Sequence, residues 1–447
     1  TIRAIGENPN ERRGGQRITI DSGTAEILEA RETRGGGFLY RFHFELYGLP
    51  RTWARWIVGI ATVLMLVAII SGIITHKKIF KDFFTFRPAK GQRSWLDAHN
   101  ATAVFALPFH LMITLSGLLL LLFTLMPWGV ERIYENRGAF LQDQRQALLE
   151  TPQQARGEGR GQRAKPKAQP APLADLAPII TDAQKQWPNN PIGTITIVAP
   201  NTQKAQIELR ALHGESVAHR NVYPSLTYHG VTGALKTDDT QLKNPTIPAA
   251  IYNVTTTLHE ARGVDLPLRW ILFFSGILGT LMIATGLILW CVKRAPQQQK
   301  QGYKSLGYRS VEVLNITAMM GLPIACAGYF YANRLIDANL DKRSSLEIRC
   351  FFIVWGLVFI YALLRQHRQA WLELLLVATA LFAFLPIFNL LTGGAPLWTS
   401  MVNDLWVIAS FDLAMWVLAI LFAFSFIKVK NHRGLTPKKG KLAQETE

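Results

Sequence analysis

The sequence predicts a mainly α, polytopic membrane protein with small α+β domains outside the bilayer. Three observations predict it. Only 18% of the 447 residues are charged and 49% are hydrophobic, with mean hydropathy +0.14. Soluble domains carry about 25% charged residues. The apolar residues collect in runs long enough to cross a bilayer. The 48 Lys and Arg, against 31 Asp and Glu, collect between those runs. A net charge of +17 placed this way fits cytoplasmic loops better than a nucleic-acid surface, and no nucleic-acid partner is expected.

A span needs about 20 mostly apolar residues. Trp56–Thr75, Ala101–Val130, Trp270–Val292 and Val313–Asn333 meet this. Cys350–Leu364 does so with Ile348 and its flanks. Leu374–Asn403 reads as a span followed by a loop at Thr392–Pro396, and Leu405–Ile427 carries one charge, Asp412. These are seven candidate spans.

The loops orient them. Lys77, Lys78, Lys81, Arg87, Lys90 and Arg93 lie in one alternate loop; Lys293, Arg294, Lys300, Lys304 and Arg309 in the next. Arg365 and Arg368 follow, and the tail holds Lys428, Lys430, Arg433, Lys438, Lys439 and Lys441. All fall on one side if each run crosses once, and the positive-inside rule makes that side cytoplasmic. Residues 1–50 and 131–265 are then outside. Residues 51–130 form a pair of spans around a basic loop, and 266–293 a further span. Residues 294–310 form a loop, 311–430 four C-terminal spans and 431–447 a cytoplasmic tail. The chain opens on Thr1 without a signal peptide and reads as truncated at its N-terminus.

The outer segment 131–265 is too long for a loop and should fold. Ala155–Pro172, rich in Gly, Pro, Gln and Arg, reads as a linker. Leu173–Gln186 has helical spacing. Ile192–Val198 and Ala205–Leu212 alternate like strands, and Ser225–Lys236 reads as strand, turn, strand. Part of this unit recurs near the start, in RITIDSGTAEILE from Arg17 to Glu29. Each copy continues into a histidine, then a proline at a span entrance: His43 before Pro50 and His259 before Pro267. The pattern is a tandem repeat, and such duplications place equivalent residues about a pseudo-twofold axis.

Of the ten histidines, five cluster at or in the first spans. His43 and His259 hold equivalent repeat positions. His99 and His110 lie eleven residues apart on what reads as one helix, about 16 Å of rise with both on nearly one face. Intramembrane ionisable groups are costly and default to function. Facing imidazoles are what a membrane b-type haem requires, so His43, His259, His99 and His110 are the candidate ligands of haem iron. His76, beside Lys77 and Lys78, ranks behind them as a polar membrane edge. His213, His219, His229, His367 and His432 read as surface residues, and Asp412 as a helix-packing hydrogen bond. The three cysteines form no CxxC, which removes a thiol redox pair, a zinc ribbon and covalent haem attachment. No GxGxxG after a strand, P-loop, HExxH or nucleophile elbow is present.

The ITIDSGTAEIL hairpin, FHFELYG before a span, SGIITHKKIFKDFFTFRPAKGQRSWLDAHN between two spans, LPFHLMITLSG and LHEARG together resemble the PepSY-associated transmembrane proteins over about residues 15–295. These are often labelled iron-regulated membrane proteins and include siderophore reductases. The resemblance implies a four-helix haem-binding core, here without its first helix, two b haems and periplasmic PepSY-like domains. It implies that His43 and His259 hold the outer haem and that His99 matches the histidine after the basic loop, with His110 the further candidate. It also implies reduction of ferric siderophore with release of ferrous iron. The expected function is a di-haem inner-membrane ferric reductase, an oxidoreductase, with ferric siderophore, the lipid bilayer and a cytoplasmic or quinol electron donor as partners. A permease for haem or iron chelates and a non-catalytic PepSY membrane sensor or assembly protein are the alternatives.

Overall fold

The computed structural model describes residues 2–3, 17–20, 26–28, 31–76, 79–83, 85–88, 90–146, 169–220, 222–239 and 243–432. Most of the expected linker, the turn at residues 21–25, Lys77, Lys78 and the tail from residue 433 lie outside the described residues. The fold is mainly helical, about 67% helix, with small antiparallel sheets. Among the described residues six helices are long and apolar enough to cross a membrane, or seven if one bent pair counts as a single span.

The chain divides into two compact units. One comprises residues 44–88 and 96–285. Its first span, Arg51–Thr75, follows Pro50 and buries only Ala54 and Gly59. The other faces of so apolar a helix need lipid, because no water-exposed surface tolerates them. The second apolar run is not the one continuous helix its composition predicts. It is Gln92–Phe105 and Leu107–Leu120, bent by 68° at Ala106. The cause is Pro108, which lacks an N–H for the preceding turn and whose ring excludes the carbonyl four residues back. Leu107–Leu120 packs against both Arg51–Thr75 and the amphipathic helix Ile247–Glu260.

The α+β part of this unit matches its sequence pattern closely. Asp175 caps Leu176–Gln186 by accepting from the Ala177 N–H at 3.0 Å. Strands Ile192–Val198, Gln206–Ala211, Ser225–His229 and Leu235–Asp239 form an antiparallel meander in chain order. Ile207 and Leu209 pair with Tyr228 and Leu226, and this face packs on Ile179 and Ala183 of the helix. Tyr228 also donates to Asp182 at 2.7 Å. After the second hairpin strand, Gly230 accepts close backbone approach: a Cβ there would lie 2.5 Å from Ala205 Cβ and 2.7 Å from its carbonyl oxygen. Gly230→Ala is expected to destabilise this sheet by about 1–3 kcal/mol. Hydrogen exchange of residues 206–229 in the whole protein measures it; unchanged protection would show that the strands yield without cost.

The other unit comprises residues 1–43, 89–95 and 286–447. Near its start, strands Ile2–Arg3, Arg17–Ile20 and Ile27–Leu28 form an antiparallel sheet. A short helix, Gly36–Phe42, follows the first hairpin, as Ile247–Glu260 follows the second. Phe38 is fully buried against Tyr329 and Phe351. The span Leu306–Leu335 contains a π-helical segment, Thr317–Gly321, just before Pro323. Proline removes one intrahelical donor, the ladder slips by one residue, and the Trp355 indole donates to the Thr317 carbonyl at 2.9 Å. Arg343–Leu364, His367–Leu391 and Trp406–Asn431 complete the bundle. The expected loop after the third of these four spans is present, followed by a short helix, Leu397–Val402. Val313, Ile324, Leu374, Phe382 and Met415 are part of a continuous core.

Two surface assignments are corrected. His219 is 6% exposed; it shares a hydrogen bond with Ser216 Oγ at 2.8 Å and another with the Lys243 carbonyl at 3.1 Å. It pins the loop before Ile247–Glu260, a role its polar sequence context hides. His367 is half-buried beside Glu312, at 4.0 Å.

Candidate functional site

Three of the four candidate histidines fall in one unit, arranged around the bent pair. His110 lies one turn into Leu107–Leu120 and is 1% exposed. Neither of its ring nitrogens has a hydrogen-bond partner among the described residues. Leaving such a group buried and unsatisfied costs about 1–3 kcal/mol. Opposite it stands Gly279, on Leu266–Gln301, where a Cβ would approach His110 Nε2 to 3.2 Å. The imidazole therefore meets backbone, not a side chain, at that contact.

His99 sits on the other arm of the bend. Its Nδ1 lies 2.8 Å from the Met282 carbonyl oxygen. A carbonyl only accepts, so Nδ1 carries the proton and Nε2 keeps the lone pair. Metal-ligating histidines are commonly oriented this way. Met282 is three residues beyond Gly279, so one turn of Leu266–Gln301 serves both His99 and His110.

His259 occupies the last turn of Ile247–Glu260, which ends at Ala261 in a left-handed conformation (φ 50°). Its Nδ1 is 2.8 Å from Ser116 Oγ, and that hydroxyl donates to the Met112 carbonyl at 2.6 Å. The Ser116 hydroxyl and His259 Nδ1 thus share a hydrogen bond that orients the imidazole. Gly117 makes room for the ring: a Cβ there would be 3.3 Å from His259 Cε1. The helix is held in place by Asn253, which donates to the Ala218 carbonyl at 2.7 Å, and by Glu260, paired with Arg220 at 3.0 Å. The α+β part thus fixes the position of His259.

His110 and Gly117 are seven residues apart, two turns and about 10.5 Å along one face of the helix. His110 and the His259 contact therefore address the same strip. His99 and His110, by contrast, do not share a face of one helix, because the 68° bend separates them. His43 caps Gly36–Phe42 in the other unit. His76 caps Arg51–Thr75 and is exposed. Ser116, Gly117, Gly279 and Met282 were not singled out by sequence pattern. The available signal was the small-residue step Ser116-Gly117 two turns beyond His110 along the same helix. Among the described residues no three His, Cys, Asp or Glu side chains come together to hold a bare metal ion.

These residues fit a haem. The site offers two half-buried imidazoles oriented by hydrogen bonds, His99 and His259, a buried one, His110, without a hydrogen-bond partner among the described residues, and glycines that keep side chains away from two rings. The family model described as PepSY-associated TM region matches residues 3–293 of the chain. No curated protein matches it.

Proposed function

The chain belongs to the PepSY-associated transmembrane family, and on that premise we propose that it is a multi-pass inner-membrane ferric reductase bearing b-type haem. His110, His99 and His259 would hold haem iron, and His43 is the further ligand that the repeat suggests. Bound haem supplies one-electron transfer. The chain's own residues bind and orient it: Met282 and Ser116 orient two imidazoles through hydrogen bonds, and Gly117 and Gly279 keep the rings clear of side chains. Electrons from a cytoplasmic or quinol donor would reach ferric siderophore at the periplasmic face. Reduction weakens hard-oxygen chelation, so ferrous iron is released. The observation that carries this reading is His110, buried in an apolar helix with both nitrogens unpartnered among the described residues.

Ser116→Ala tests the orienting role without removing a ligand. It is expected to weaken haem retention by about 10- to 100-fold, the usual cost of losing a partner behind a ligating imidazole. Haem loss to excess apomyoglobin, followed by absorbance, measures it. An unchanged rate would exclude His259 as a ligand.

The basic loops support a cytoplasmic C-terminus. A reporter fused after Gln299 is expected to report cytoplasm, and one inserted at Lys204 periplasm. A periplasmic signal at Gln299 would invert the orientation.

A further inference from the structure

The C-terminal unit contains a cavity of about 550 Å³ between the helices that end at Leu335 and Leu391 and the helix that begins at Trp406. This is within the range of small-molecule sites. Its walls are largely aromatic: Phe330, Phe388 and Phe411, with Phe330 and Phe411 edge to face at 5.2 Å. Among the described residues that line it, Arg334 alone carries a charge. Val407, also in the lining, is 85% exposed on the apolar helix Trp406–Asn431, so the cavity is reached from hydrocarbon.

A guanidinium has five N–H donors. Arg334 gives one to the Asn389 amide oxygen and makes no other hydrogen bond among the described residues. Two charges outside the lining act on it. Arg31 repels it, the more strongly, and Asp412, 2% exposed and bonded to Asn389, attracts it. Two of these three charges are positive, and among the described residues no carboxylate lines the cavity. The free donors and the excess positive charge select an oxyanion, which a guanidinium grips through two parallel hydrogen bonds. The aromatic walls and the opening to hydrocarbon select an apolar chain behind that head. A small water-soluble anion lacks the chain, and a neutral lipid lacks the charge.

We propose that this cavity, formed where the aromatic walls meet Arg334, binds a membrane amphiphile with an oxyanion head and an acyl chain, the head on the guanidinium and the chain along Phe330, Phe388 and Phe411. A fatty-acid carboxylate and a phospholipid phosphate share this chemistry. The helices that carry Arg334, Asn389 and Val407 lie beyond residues 3–293, so family membership does not bear on the site. The proposal stands independently of the haem reading.

Binding of radiolabelled palmitate is measured with the whole chain in phosphatidylcholine nanodiscs, against empty nanodiscs, in mildly alkaline buffer that keeps the carboxylate ionised. Hexadecanol, with the same chain and no charge, is expected to compete at least about tenfold more weakly than unlabelled palmitate, the value of one hydrogen bond to a charged group. Arg334→Gln is expected to weaken palmitate at least about tenfold and to abolish its advantage over hexadecanol. Asp412→Asn removes a negative charge that opposes the ligand and is expected to tighten palmitate about two- to threefold, a gain that damage to the fold would not produce. Val407→Trp, at an exposed rim position, is expected to weaken both ligands at least about tenfold, with an unchanged melting curve showing that the fold is intact. Phosphatidylglycerol as competitor distinguishes the sources: displacement of palmitate by it supports the site and assigns the head to a phospholipid phosphate, and failure to displace supports the site with a single-chain carboxylate. No palmitate bound above empty nanodiscs without displacement by phosphatidylglycerol of any bound lipid, hexadecanol competing as well as palmitate, or parent-like binding by Val407→Trp would each overturn the proposal.

Discussion

Replacing His110 by Leu is expected to remove about one equivalent of haem from the purified protein while leaving it folded. The His110 imidazole lies within the apolar helix Leu107–Leu120. It lies 1% exposed with no hydrogen bond to either nitrogen among the described residues, so it makes no polar contact that leucine would lose. An imidazole kept only for packing should be replaceable, and the leucine variant should be as stable as the parent or more so. An imidazole kept for iron should not be. Ferric-chelate reduction in vesicles loaded with an inside donor should fall at least about 100-fold. The hydrocarbon core is about 30 Å thick, and electrons need a carrier within it. Haem content, melting temperature and chelate reduction are read on the same preparation. Full haem content in His110→Leu would remove this residue from the site.

The second large effect concerns stability. Arg343 and Glu347 are both fully buried and lie 2.5 Å apart, one turn from each other on Arg343–Leu364. Arg343 also donates to the Glu32 carbonyl at 2.8 Å and to the Asn333 carbonyl. Glu347 accepts from Thr33 at 2.7 Å and from Asn333 at 2.8 Å. The pair thus ties residues 32–33 to the helical bundle of their unit. Removing one partner leaves a buried charge uncompensated, and Glu347→Ala is expected to cost about 3–5 kcal/mol. Replacing both by apolar residues should cost much less, because no lone charge is left behind. Thermal unfolding in detergent gives the magnitude. Trypsin cleavage after Arg31 and Arg34 reports whether the segment is released. Equal melting temperatures for Glu347→Ala and the parent would show that the pair bears no weight.

The sequence made some of this legible and not the rest, for identifiable reasons. Ile192–Val198 was readable to the residue because its β-branched Ile, Thr and Val residues follow one another as strand residues do. The loop after Leu391 was readable from its adjacent glycines and proline. The break at Ala106 was not, because every residue around it is apolar and only Pro108 marks it. That one proline changed the site: it turned two ligand candidates on a shared face into candidates on two arms. Arg343 and Glu347 sit where a span meets its loop, and charged residues there ordinarily face water. Their burial depends on residues 32–33, more than 300 positions away, which periodicity cannot signal. The orientations of the His99 and His259 rings likewise depend on a carbonyl and a hydroxyl from distant segments.

The most direct test of the central claim is an oxidised and dithionite-reduced absorbance spectrum of the protein purified from haem-replete membranes, with a pyridine haemochrome count on the same sample. The expected result is a red protein whose reduced spectrum has the bands of bis-imidazole b-type haem, lost in part in His110→Leu. A colourless, folded protein without haemochrome would contradict it.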